Sequence, residues 1–426
     1  MQIEQLYFIF LQYPSIQTDT RKLAAGDLFF ALKGPNFNGN KFAKQALKSG
    51  AAFAIIDEDI DFVDERLIKV NDSLKALQQL AKHHRQQFTI PFIAITGSNG
   101  KTTTKELIHE VLSSTYKTYT TKGNLNNHIG IPITILSVKK DAQIAVIEMG
   151  ANHQKEIEGY CEYTMPTHGI ITNVGKAHLE GFGGEEGVRK GKGELYDYLR
   201  THNGTAFIFT DYDYLKEMSK GIPEIKTYGT SDATIVGTIN NNNNEFLQVT
   251  MLKGTGIKEI KTNLIGGYNL PNVLAAIAVG EYFDVPEEKI KSSLENYIPS
   301  NSRSQLIVKD GNKIILDAYN ANPTSMKAAI ENFSKIESDQ KILLLGGMME
   351  LGNESIQEHE AIVKLIAGYN WKDVVLVGGD FNKIRHPFIN FATSTEAKEW
   401  LKQQHFKNAI LLIKGSRSMQ MEKVLE

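Results

Sequence analysis

Short runs of consecutive apolar residues alternate along the chain with stretches in which apolar residues recur every three or four positions. The first pattern fits strands buried on both faces, and the second fits amphipathic helices packed over them. Together they point to α/β folds with mainly parallel sheets. At the start, 28–32 and 51–56 predict strands and 42–48 and 73–84 predict helices, while the apolar cluster 6–11 also reads as a strand. A new strand opens at Pro91-Phe-Ile-Ala-Ile95, which sets a boundary near residue 88 and a first domain of 1–88. Strands expected at 92–96, 144–148, 169–172 and 206–210 keep the rhythm. The segments 235–239 and 246–252 then flank five asparagines at 240–244, a hairpin tip, because asparagine tolerates left-handed backbone. Pro271 suits the first turn of a helix over 272–283. A second boundary near 298–300 leaves a middle domain of 89–299 and a last domain of 300–426. In the last one, strands at 314–317, 342–345, 374–377 and 410–414 are each expected to precede a helix, a Rossmann-like layout.

Composition narrows the classes. With 41% hydrophobic and 23% charged residues, the chain is not a disordered one. Its 47 basic and 49 acidic residues give a formal charge of −2, which argues against a broad nucleic-acid-binding face. The single cysteine, Cys161, has no partner for an internal disulfide, so a reduced, cytoplasmic setting is expected. No membrane span is expected: 6–11 is too short, and the uncharged stretch 263–280 is broken by Gly266, Gly267, Asn269, Pro271 and Asn272.

The sharpest local chemistry is Thr96-Gly-Ser-Asn-Gly-Lys-Thr-Thr-Thr-Lys-Glu106. Gly97 and Gly100 let backbone amides turn toward an anion, with Ser98 and Asn99 between them. A helix beginning at the loop adds its positive dipole end, which Thr103 also faces. Lys101 can reach outer phosphates, and the Thr102 hydroxyl can meet magnesium. The usual phosphate loop has four residues between its glycines where this one has two, so a structural turn is the alternative. The strand before and the helix after favour phosphate. Glu148 closes the apolar strand 144–148, where a carboxylate could hold the magnesium of ATP.

Taken with this loop, an ordered set of motifs resembles the Mur ligases, ATP-dependent amide-bond-forming enzymes of peptidoglycan synthesis. The set comprises GNLNNHIGIP (123–132), EMGANHQKEI (148–157), ITNVGKAHLEGFG (171–183), KGELY (192–196) and GGYNLPNVLAA (266–276). It continues with SRSQ (302–305), DAYNANPTSM (317–326), LGGMMELG (345–352) and IKGSRSMQME (413–422). The resemblance covers essentially the whole chain. It implies three α/β domains: a smaller N-terminal one for a UDP-sugar, a central one like P-loop ATPases for ATP, and a C-terminal Rossmann-like one that receives the amine. It further implies that ATP phosphorylates a peptide carboxylate and that an amine attacks the acyl phosphate. Within the family the chain is most similar to the branch that joins D-alanyl-D-alanine to UDP-N-acetylmuramoyl-tripeptide. A sister branch adds the third amino acid, but its aspartate–asparagine–proline motif is missing here. A folylpolyglutamate-type ligase and a non-catalytic nucleotide-gated protein are the remaining alternatives.

Residue by residue, the resemblance implies a second magnesium on His178 and a carbamylated Lys192. It places adenine and ribose on Asn269 and Asn272, the terminal phosphate on Arg303 and ribose on Asp317. Thr20, Arg21, Gly34 and Asn38 would meet the UDP-sugar, and Asn126, Asn127 and His128 would line the path of the muramoyl-peptide. Tyr319, Asn320, Asn322 and Lys414 would contact substrate. On its own chemistry His178 reads as a hydrogen-bonding loop residue rather than a metal ligand, since magnesium prefers oxygen. Lys192 reads as an unmodified lysine on phosphate or beside Glu194, and the N-terminal segments as plain turns. Family members usually carry serine at Thr20, aspartate–glycine–histidine at Asn38-Gly39-Asn40, and often histidine at Tyr268.

Overall fold

The computed structural model describes residues 2–240, 246–300 and 302–426, and its strands assemble into three main sheets with helices packed against them. The α/β class expected from the alternation of patterns holds in all three. The first sheet is parallel throughout, in the order Ile16–Gln17, Leu28–Phe30, Phe53–Ile56, Leu67–Lys69. One expectation fails at its edge: the cluster 6–11 lies in a helix, Ile3–Gln12. Leu6 and Phe10, four residues apart, are its buried positions, and Gln2 and Gln5 close a capping box around its first turn. A continuous apolar run satisfies either period, and here the i, i+4 pair has a neighbouring helix, Ser73–Arg85, to pack on.

The second sheet has nine strands, with Phe92–Thr96 between His168–Ile171 and Ile144–Glu148. All five residues of Phe92–Thr96 are buried, as a strand covered on both faces requires. Pairing of Ile95 with Glu148 and of Thr96 with Ile171 brings the three carboxyl ends level, so their following loops meet at one edge. This is where open parallel sheets hold ligands. Two antiparallel pairings, Ile235–Ile239 with Phe246–Lys253 and that strand with Glu259–Ile265, finish the far side. Of the proposed asparagine tip, 241–244 lies outside the described residues.

In the third sheet the order is Gln305–Lys309, Asn312–Asp317, Ile410–Lys414, Lys341–Gly346, Asp373–Val377, Ile389–Phe391, parallel except for the first strand. Helices Pro323–Ser334 and Ser355–Ala367 follow two of these strands, as expected. The other two differ. Asp373–Val377 runs into a short 3-10 turn and a further strand before helix Ser394–Gln404, and Ile410–Lys414 into two 3-10 turns. Gly378 and Gly379, at φ +62° and +57°, break the chain direction after the former.

No helix among the described residues is long and apolar enough to cross a membrane. Cys161 is free and buried. An apolar cluster runs from the first sheet through the second into part of the third. At the first junction the Arg85 guanidinium, stacked on Phe92, donates to the carbonyls of Thr164, Phe88 and Met165 at 2.8–2.9 Å. Arg85→Ala strands those carbonyls and should cost about 3 kcal/mol of stability. An unchanged urea midpoint for the variant would count against that role.

Candidate active site

The loop after Phe92–Thr96 makes a sharp turn because two glycines permit it. Gly97 has φ +140°, and a Cβ there would lie 2.0 Å from the Thr172 hydroxyl. Gly100 has φ +79°, with its missing Cβ 2.7 Å from Asn272 Oδ1. Helix Lys101–Ser113 starts directly after it. Ser98 through Thr103 line a cavity of about 720 Å³, while Gly97 shapes the turn from behind. Burial pushes the Lys101 ammonium down to about 8, the nearby Arg303 charge adds to the shift, and Glu148 opposes it. Its Nζ folds back onto the carbonyls of Gly97 at 2.7 Å and Ser98 at 3.2 Å.

Thr102 Oγ1 donates to Glu148 Oε2 at 2.9 Å, and Asn126 Nδ2 donates to Oε1 at 2.7 Å. A threonine oxygen and a carboxylate at the cavity wall, beside an anion-binding loop, form the oxygen-rich donor set that magnesium prefers. On the adjoining wall Thr104 Oγ1 donates to Asn272 Oδ1 at 3.0 Å. Asn272 Nδ2 donates to Asn269 Oδ1 at 2.8 Å, and Asn269 Nδ2 to the Ile265 carbonyl at 2.8 Å. That chain of amides ties helix Leu270–Tyr282 to the helix of the phosphate loop.

The opposite wall comes from the third sheet. Asp317 and Lys414 end adjacent strands in register and pair at 2.6 Å, with Lys414 buried. Lys414 also reaches the Asn320 carbonyl at 3.3 Å, and the Arg303 guanidinium stacks 3.7 Å from the Tyr319 ring centre. Arg303, Asp317, Tyr319, Asn320, Asn322 and Lys414 all line the same cavity as the phosphate loop. So do Asn126, Asn127, His128, Glu148, His178, Asn269 and Asn272.

Two sequence-derived candidates sit differently from that group. His178, at φ +53°, lines the cavity, and its Nδ1 pairs with Glu350 Oε2 at 2.5 Å, which holds the Glu350 carboxyl below its ordinary range. Lys192 lies in the middle of helix Glu185–Thr201, fully buried and off the cavity wall, with Nζ 3.0 Å from the Ala151 carbonyl. Burial drives its ammonium well below the ordinary lysine range, and the Lys101 charge adds to the effect. Among the described residues no group of three or more His, Cys, Asp or Glu converges as a metal cage.

Four candidates stay outside. Thr20 and Arg21 lie in a loop of the first sheet, Gly34 and Asn38 in a separate two-stranded antiparallel pair, Lys33–Gly34 with Phe37–Asn38, and none of the four lines the cavity. Arg21 is tied up with Asp19 at 2.7 Å, and Asn38 Nδ2 with Glu58 at 2.8 Å. Conversely, Tyr160, Asn173, Tyr212, Tyr214 and Thr324 line the cavity without having been singled out. Asn173, Tyr212 and Tyr214 follow the strands His168–Ile171 and Thr205–Phe209, so their place at carboxyl strand ends was the available signal.

Comparison with known proteins agrees with this geometry. The Mur ligase family, catalytic domain matches residues 12–85, the Mur ligase middle domain 95–280, and the Mur ligase, glutamate ligase domain 302–417. The UDP-N-acetylmuramoyl-tripeptide--D-alanyl-D-alanine ligase of Bacillus subtilis is 37% identical, over 96% of this chain and 92% of that protein. A crystal structure of MurF from Acinetobacter baumannii superposes with a TM-score of 0.87 at 32% identity, covering 96% of this chain and 92% of that one. MurF ligase from Thermotoga maritima, solved in complex with ADP, gives a TM-score of 0.86 at 25% identity, covering 97% of each chain. With three family models together matching most of its length, the chain belongs to the Mur ligase family.

Proposed function

We propose that this chain joins D-alanyl-D-alanine to UDP-N-acetylmuramoyl-tripeptide, with ATP consumed to ADP and phosphate. The observation that carries the reading is one cavity with a phosphate loop on one wall and the Asp317–Lys414 pair on the other. A carboxylate oxygen of the tripeptide attacks the γ-phosphorus and ADP leaves. The dipeptide amine then attacks the acyl carbon, and phosphate leaves as the amide forms. Because little covalent chemistry falls to the protein in phosphoryl transfer, its residues act by position and charge.

Lys101 neutralises the outer phosphates once a triphosphate draws it off the Gly97 and Ser98 carbonyls. Arg303 approaches from the third sheet and adds a second positive charge. Asn269 and Asn272 meet the base and ribose, with Asp317 on the ribose. Thr102 and Glu148 would hold magnesium, which supplies charge on the phosphate oxygens when bound. Asn126, Asn127 and His128 bound the approach of the peptide carboxylate, with Thr20, Arg21, Gly34 and Asn38 on the UDP end. Tyr319, Asn320, Asn322 and Lys414 face the amine. Walls from two domains keep water from an acyl phosphate that would otherwise hydrolyse. The reaction belongs in the cytoplasm, where ATP and UDP-linked precursors are held.

Lys192 is the residue we assign to carbamylation. Only a neutral amine adds to carbon dioxide, and burial favours that form of Lys192. With His178 it would complete an oxygen–nitrogen donor pair for a second magnesium.

Four outcomes check this reading. Sustained ADP release over many turnovers should require both the UDP-tripeptide and D-alanyl-D-alanine. Turnover with single amino acids and none with the dipeptide would overturn it. Lys101→Ala should lower kcat by roughly 10²–10³-fold. Since the free enzyme's Lys101 sheds its proton near pH 8, kcat/KM for ATP should fall above about pH 8. Lys101→Arg, which stays charged, should lose that limb of the pH profile. Lys192→Ala should lose nearly all turnover and regain part with acetate but not with a small amine. Rescue by the amine instead points to an unmodified cationic lysine.

A further inference from the structure

Three asparagines from three separate segments lock together beside the phosphate loop. Asn173 Oδ1 accepts from the Asn99 N–H at 3.0 Å while its Nδ2 donates to the Asn99 carbonyl at 3.1 Å. Thr172 Oγ1 donates to that same carbonyl at 2.6 Å. The Asn99 backbone is therefore held from one side by the loop after His168–Ile171. From the other side, Asn322 Nδ2 donates to Asn99 Oδ1 at 2.8 Å.

The orientation of this last bond is fixed by a helix cap. Asn322 precedes helix Pro323–Ser334, and its Oδ1 accepts from the Ser325 N–H at 2.9 Å, with the Ser325 hydroxyl completing the capping box. Turning the Asn322 amide over would set its NH2 against that N–H. Asn322 must then present its NH2 to Asn99, and Asn99 must answer with its oxygen. What remains is Asn99 Nδ2, a buried donor at the cavity wall with no partner in the protein. A buried donor left unmade is costly, and its acceptor has to arrive with whatever enters the cavity. The same first turn of the helix is seated on the loop at a second point. Thr324 Oγ1 accepts from the Lys176 N–H at 3.1 Å, and a Cβ on Gly175 would come within 2.9 Å of it.

We propose that Asn322 is a positioning residue for nucleotide: docked from the third sheet, it turns Asn99 so that the Asn99 amide donates to a phosphate oxygen. Closure of the C-terminal domain and occupation of the phosphate loop then favour each other, in addition to the charge that Arg303 contributes. The inference rests on the ligase reading for the meaning of closure, but nucleotide binding alone tests it.

The experiment measures ATP-analogue and ADP affinity by calorimetry for wild type, Asn99→Ser, Asn322→Ser and the double variant. Serine keeps an oxygen able to cap the helix but is too short to reach Asn99, so the cap and the link are separated. Asn322→Thr serves the same purpose if the serine variant does not fold. Each single variant should weaken nucleotide binding by roughly tenfold, and the double variant by no more than the weaker single, because the two residues act as one unit. Wild-type affinity in Asn322→Ser, or a double effect equal to the product of the singles, overturns the proposal. So does a rise in KM for D-alanyl-D-alanine with nucleotide affinity unchanged, which would leave Asn322 with its place facing the amine and no part in nucleotide binding. Failure of wild type to ligate the dipeptide would refute the assigned reaction and leave the binding cycle standing as the test of this link.

Discussion

A carboxylate and a triphosphate repel each other, and any enzyme that phosphorylates one with the other has to hold both against that repulsion. Two unit charges 4 Å apart cost about 4 kcal/mol at an effective dielectric near 20, and a triphosphate carries several. The arrangement of this chain follows from that constraint. Parallel strands bring their carboxyl ends, and the amide-rich helix start after them, to one edge. Lys101 and the Glu148–Thr102 pair stand on that edge, and Arg303 is supplied from a different domain. Burial of Lys101 strengthens its field at the expense of its proton affinity. On the proposed reading a bound phosphate would keep that cation charged, and Lys101 Nζ is held on the Gly97 and Ser98 carbonyls.

What could be read from the sequence follows the range of the forces involved. The phosphate loop is local: two glycines, a lysine and a threonine within six residues, between a strand and a helix, are enough to specify it. Strands buried on both faces announce themselves as apolar runs, which is why Phe92–Thr96 and Ile144–Glu148 were found where they lie. The run 6–11 shows the limit of that signal, since without alternation only the neighbour it packs on decides between periods. Gly378 and Gly379 turn the chain where a helix was expected, a choice settled by backbone freedom and not by apolar spacing.

Contacts made across long stretches of sequence were not legible in the same way. Nothing local in Asn322-Pro-Thr-Ser325 distinguishes a helix cap from a cap that also reaches 223 positions back to Asn99. The Lys176–Glu358 ion pair at 2.6 Å, spanning 182 positions, is likewise invisible until the domains are brought together. The motif resemblance named several residues on these surfaces without giving their partners. His178 is an instance: the resemblance implied a magnesium on it, and its pairing with Glu350 was not implied.

Helix Leu270–Tyr282 has ten buried residues, so it has no solvent face of its own and exists only as a wedge between the sheet and helix Lys101–Ser113. Its bond from Thr104 to Asn272 spans 168 positions. During synthesis the phosphate loop therefore leaves the ribosome long before the wall it needs. Strands Phe92–Thr96, Thr118–Thr120 and Ile144–Glu148 can already cover part of helix Lys101–Ser113, but the part that Leu270–Tyr282 packs on stays open until residue 272 and the turns after it emerge. The nascent domain therefore carries some exposed apolar surface until the end of helix Leu270–Tyr282 has been made.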